Sequence, residues 1–107
     1  MKLVFAIVHS DDSRAVMSEM TREGFYFTKL STSGGLLRAG NVTLMAGVED
    51  EKVDSLLDLL KRFSSQRKQM IQPSPIYGNE MFMSEPVEIT VGGATVFVLD
   101  IEKFLKL

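Results

Sequence analysis

Three glycines and a run of hydroxyl and amide side chains stand between two strand-like segments at residues 28–43, Thr-Lys-Leu-Ser-Thr-Ser-Gly-Gly-Leu-Leu-Arg-Ala-Gly-Asn-Val-Thr. Residues 25–32 and 41–48 are rich in aromatic and β-branched side chains, so the interval (about 33–40) reads as a loop projecting from a sheet and not as a linker. Such a loop suits a small anion. Glycine admits a ligand close to the backbone, and successive backbone N–H groups in turns form a concavity that fits phosphate.

The rest of the chain supplies the sheet. Residues 3–8, Leu-Val-Phe-Ala-Ile-Val, form a continuous apolar run of strand length. Ser10, Asp11, Asp12 and Ser13 offer N-cap groups ahead of Ala15, Val16, Met17 and Met20, and Gly24 closes the helix they begin. A second helix is predicted from about Asp50 to Phe63, where Val53, Leu56, Leu57, Leu60 and Phe63 recur at helical spacing. Residues 64–85 predict an irregular excursion, with Pro73 and Pro75 followed by Ile76-Tyr77-Gly78-Asn79 and then by apolar Met81, Phe82 and Met83; its longer loop lies at about 72–85. Residues 87–90 and 94–99 read as strands joined through Gly92-Gly93, and residues 101–107 as a short helix or an extended tail. Strand, helix, strand, strand, helix, strand predicts an α+β ferredoxin-like βαββαβ sandwich, an antiparallel sheet with two helices on one face. The other sheet face then wants a partner.

Size and charge narrow the function. A chain of 107 residues is expected to form a single domain over 1–107. A domain this small buries only about two-thirds of its unfolded surface. With 45% of its residues apolar, some apolar surface is assigned to a subunit interface. A net charge of −2 argues against a nucleic-acid polymer as partner, and Lys61, Arg62, Arg67 and Lys68 read as cations completing the end of the second helix. The absence of cysteine excludes disulfides and thiolate metal sites. Residues 1–8 imitate the start of a signal peptide but stop at His9, and no apolar run nears the ~18 residues that cross a bilayer. The cytoplasm is the expected location, with no membrane partner.

The glycine-bearing run at 28–41 has a counterpart at 91–99, Val-Gly-Gly-Ala-Thr-Val-Phe-Val-Leu. Together with Ala6-Ile7-Val8, Gly47-Val48-Glu49-Asp50 and Pro86-Val87-Glu88, these runs resemble the PII-like cyclic-di-AMP receptor family of the PstA or DarA type over nearly the whole chain. The resemblance implies a non-enzymatic signal-transduction protein, a homotrimer that takes cyclic di-AMP in the clefts between subunits and passes the signal to an unknown downstream protein. It implies ligand positions at Thr28, Leu37, Asn41, Gly47 and Phe97, with Tyr26, Gly35, Leu36 and Lys106 in the same site. Their chemistry is suitable. Asn41 can both donate and accept towards a ribose or an adenine edge, Thr28 offers a hydroxyl, Gly47 exposes backbone groups, and Phe97 and Leu37 offer apolar faces to a purine. Read without the resemblance, Phe97 and Leu37 fit equally as core residues and Asn41 as a turn residue. The chain departs from the family pattern at Gly24, Tyr26 and Leu36, where members carry Asn, Arg and Phe, and at Lys106, where they carry Gln. Those departures keep a related adenine nucleotide open as the ligand.

Enzyme signals are poor. A phosphate loop of the NTPase type needs Gly-Lys-Ser/Thr opening a helix, whereas Gly40 is followed by Asn41 and a strand. A single histidine, His9, leaves no catalytic triad or histidine-based zinc site and reads as structural. Asp11-Asp12 and Glu49-Asp50-Glu51 precede helices, where carboxylates stabilise the N-terminal dipole. The alternative function is a small ferredoxin-like enzyme acting on a phosphorylated metabolite in the same cleft, with His9, Lys29, Glu49 and Tyr26 as its titratable candidates. A third reading, a metal-binding module like the divalent-ion tolerance proteins, has few soft-metal ligands to draw on. No catalytic residue, cofactor or metal is expected.

Overall fold

Alternate residues of the first strand, β1 (Lys2–His9), are buried: Val4, Ala6 and Val8. The same alternation recurs in β3 (Asn41–Val48) through Leu44, Ala46 and Val48, so one face of the pair is apolar and closed. The computed structural model describes residues 1–30, 40–71 and 86–107. Between these strands lie α1 (Ser10–Arg22) and a short β2 (Thr28–Leu30); after them come a 3-10 turn (Asp50–Lys52) and α2 (Val53–Ser64). The chain continues with β4 (Arg67–Ile71), β5 (Val87–Val91) and β6 (Ala94–Asp100). The main sheet has the order β2-β3-β1-β6 with every pair antiparallel. Val16 and Met20 of α1 and Leu56, Leu59 and Leu60 of α2 fill the core with the inward strand residues. This is the α+β arrangement expected of a ferredoxin-like sandwich.

Local chemistry explains the boundaries. Gly24, with φ +85°, ends α1 in a Schellman turn: its N–H donates to the Thr21 carbonyl at 3.1 Å, and the Phe25 N–H donates to the Met20 carbonyl at 2.8 Å. The α1 start differs from expectation. Its cap is His9, whose Nδ1 accepts the Asp11 N–H at 3.2 Å, while Ser10 to Ser13 lie within the helix. Ala15 faces solvent, and in α2 Leu59 joins the buried set while Val53, Leu57 and Phe63 flank it.

Three further expectations are corrected. Among the described residues β2 covers only Thr28–Leu30, because the chain from Gly24 to Phe27 is spent on turning out of α1. The excursion after α2 is not irregular throughout: Arg67–Ile71 forms a strand and pairs antiparallel with Val87–Val91, in a two-stranded sheet separate from the main one. Polar Arg67, Lys68 and Gln69 gave this strand no legible alternation. Consequently only Lys61 and Arg62 stand in the last turn of α2; Arg67 and Lys68 belong to the hairpin and pair with Asp12 and Glu88. Of the two forms expected for residues 101–107, a short helix or an extended tail, the structure has the tail. The glycine loop up to residue 39, and the loop at 72–85, lie outside the described residues.

Candidate functional site

The second face of the main sheet is open and apolar. Register pairs Thr28 with Met45, Met45 with Phe5, and Phe5 with Phe97, making one row across all four strands. The next row runs Gly47, Leu3, Leu99. Phe97 is 53% and Leu99 47% exposed, so large apolar side chains stand uncovered on this face at the β6 edge of the sheet. Patches of this kind mark interaction surfaces.

At the end of this face where β3 finishes, a cleft of about 650 Å³ opens between the sheet and the tail. It is lined by Tyr26, Thr28 and Gly47, by Leu3, Phe27 and Met45 beneath them, and by Lys106 from the tail. Four residues expected at the site therefore converge. Tyr26 is 88% exposed, its ring free to meet a ligand. Gly47 is exposed at the cleft wall, where an added Cβ would sit 3.8 Å from Met1 Sδ and 4.0 Å from Ile101 Cδ1. A side chain there would take up cleft space. The volume suits a nucleotide-sized molecule.

Phe97 and Asn41 do not reach this cleft within one chain. Phe97 shares the row of Thr28 but stands three strand spacings away, about 14 Å. Asn41 pairs with His9 at the far end of β3, four residues or about 14 Å along the strand from Met45. It lines a second, more polar cleft of about 410 Å³ with Gln66, Thr95 and the Gly92-Gly93 turn. Gly35, Leu36 and Leu37 lie outside the described residues. Of the titratable candidates for catalysis only Tyr26 lines the cleft: His9 caps α1, Lys29 sits in β2 on the side opposite Thr28, and Glu49 precedes the 3-10 turn. Among the described residues no cluster of three or more His, Asp or Glu side chains is placed to hold a metal ion.

Sequence reasoning missed Leu3, Phe27 and Met45, which it read only as strand residues, and Lys103 and Phe104, which also line the cleft. The open-face register identifies Leu3 and Met45; a tail without periodicity carries no comparable signal for Lys103 and Phe104.

A family model described as cyclic-di-AMP receptor matches residues 1–107. The chain belongs to that family. Among solved structures, a functionally unknown protein from Pediococcus pentosaceus ATCC 25745 is 37% identical, with a TM-score of 0.80 over 99% of this chain and 96% of that one. The cleft beside Tyr26 carries both aromatic and cationic side chains. No helix among the described residues is long and apolar enough to cross a membrane.

Proposed function

We propose that this chain is a non-enzymatic, cytoplasmic signal receptor that binds cyclic di-AMP in clefts between the subunits of a homotrimer. The observation that carries the reading is the convergence of Tyr26, Thr28, Gly47 and Lys106 on one cleft in a chain of the cyclic-di-AMP receptor family. Tyr26 supplies a face for stacking, Thr28 a hydroxyl, Gly47 its backbone groups, and Lys106 a cation for phosphate. Gly35, Leu36 and Leu37 complete the seat in this reading.

The positions that fall short support the trimer. Leu3, Phe5, Ile7, Met45, Phe97 and Leu99 share the open face, and closed rotational symmetry buries such a face on every copy at once. A neighbouring sheet laid on it brings a second Phe97 or Asn41 towards the cleft, which a single chain does not. Calorimetric titration of the purified protein with cyclic di-AMP, cyclic di-GMP, ATP and AMP tests the assignment. Binding heat with cyclic di-AMP, and recovery of the intact nucleotide by chromatography after long incubation, are expected; absence of heat with cyclic di-AMP refutes it.

A further inference from the structure

We propose that two further residues of the tail join Lys106 in the ligand seat, Phe104 packing on a purine and Lys103 attracting a phosphate oxygen; this rests on the nucleotide reading above. Lys103, Phe104 and Lys106 line the same cleft as Tyr26 and Thr28. The tail is tied at its root, where the Ile101 N–H donates to the Met1 carbonyl at 3.3 Å, and beyond that it is neither helix nor strand. It is held at its root and exposed beyond it.

Three features point to a ligand. Phe104 is 54% exposed, so its ring is not consumed by the core, and with Tyr26 it gives the cleft two exposed aromatic faces. Lys103 and Lys106, like Arg14, Lys29, Lys52 and Lys61, form no ion pair with a described residue, and of these six cations they are the two that line the cleft. No carboxylate lines the cleft among the described residues, although the chain as a whole carries a net charge of −2. Two unpaired cations and two aromatic faces match a molecule with two anionic phosphodiesters and two purines. The apolar floor of Leu3, Phe27 and Met45 offers further contact to a purine.

The test is calorimetric titration of the full chain with cyclic di-AMP at low and high salt, for the parent and for Lys103→Gln, Lys103→Arg, Phe104→Ala and Phe104→Tyr. Lys103→Gln is expected to weaken binding about three- to tenfold at low salt and to flatten its salt dependence, because an unscreened charge pair is lost. Lys103→Arg retains both affinity and slope. Phe104→Ala is expected to weaken binding about fivefold, with recovery in Phe104→Tyr, since the loss is of aromatic contact. A parent that binds while Lys103→Gln and Phe104→Ala bind equally well overturns the role of the tail and leaves the receptor reading standing. Weakening by Lys103→Gln with an unchanged salt slope overturns the phosphate contact in favour of packing. A parent silent towards cyclic di-AMP overturns both.

Discussion

Asp12, in the first turn of α1, receives both terminal guanidinium nitrogens of Arg67 at the root of the β4–β5 hairpin, at 2.8 Å from Nη2 and 3.2 Å from Nη1. The Asp12 side chain is only 8% exposed, so this carboxylate has little water to fall back on. One residue pair thus fastens the separate hairpin to the helical layer. The same turn of α1 also holds the start of β3, because the Ser10 N–H donates to the Gly40 carbonyl at 2.6 Å.

Removal of that clamp is expected to loosen the hairpin before the core. An isolated two-stranded sheet is marginal in water. Its described residues are largely exposed, with Met70 at 59% and Val87 at 51%, so little else holds it. Arg67→Met leaves the buried carboxylate unpaired and lowers Tm. Hydrogen exchange across Arg67–Ile71 then accelerates more than across β1 or β3. Equal acceleration in all strands would contradict a local clamp.

Gly92 makes the clamp possible. Its φ is +74°, and a Cβ built on it would lie 2.6 Å from Arg67 Nη1, 2.9 Å from Asp12 Oδ2 and 3.0 Å from the Ser65 carbonyl oxygen. Gly92→Ala is expected to cost about 1–2 kcal/mol from the left-handed backbone alone, with the crowding added to it. Part of that crowding vanishes if Arg67 is truncated. Denaturant unfolding of Gly92→Ala, Arg67→Ala and the pair should therefore give a double variant more stable than the sum of the two losses. Strict additivity would place the strain elsewhere.

Phe97 offers a test of the proposed assembly. It is half exposed on the edge strand of the open face, so a charge there costs the isolated fold little. The same charge is incompatible with burial against a neighbour. Phe97→Asp is expected to sediment as a monomer with an unchanged far-ultraviolet spectrum, against a trimer for the parent. Loss of the parent's concentration-dependent Tm should accompany it. A variant that remains trimeric would exclude this face as the contact.

Legibility followed the amount of regular burial behind each segment. β1, β3 and α2 were readable because residues of one core recur through each at regular spacing: Val4, Ala6 and Val8; Leu44, Ala46 and Val48; Leu56, Leu59 and Leu60. β4 was not, since Arg67, Lys68 and Gln69 serve an exposed hairpin and a remote ion pair between residues 55 apart in the chain. The His9 cap hid for a related reason: Ser10, Asp11, Asp12 and Ser13 are all better capping types, and the position of the strand end decided which residue stood at the cap. At the site, Tyr26, Thr28, Gly47 and Lys106 were named by resemblance and found together. Lys103 and Phe104 escaped notice because irregular backbone has no period to betray them.

Gly47 separates ligand binding from stability more cleanly than any other position. It lies within β3, paired with Leu3, and its missing side chain would project into the cleft towards Met1 and Ile101 at ordinary contact distances. Gly47→Val therefore suits the strand, where a β-branched residue is worth up to about 1 kcal/mol over glycine. It also fills cleft space that the proposed nucleotide would occupy. The expected outcome is an equal or higher Tm together with loss of calorimetric heat towards cyclic di-AMP. Loss of binding with a raised Tm has no explanation in unfolding, so it locates the ligand at the end of β3. Undiminished binding by a well-folded Gly47→Val protein would remove the nucleotide from this cleft.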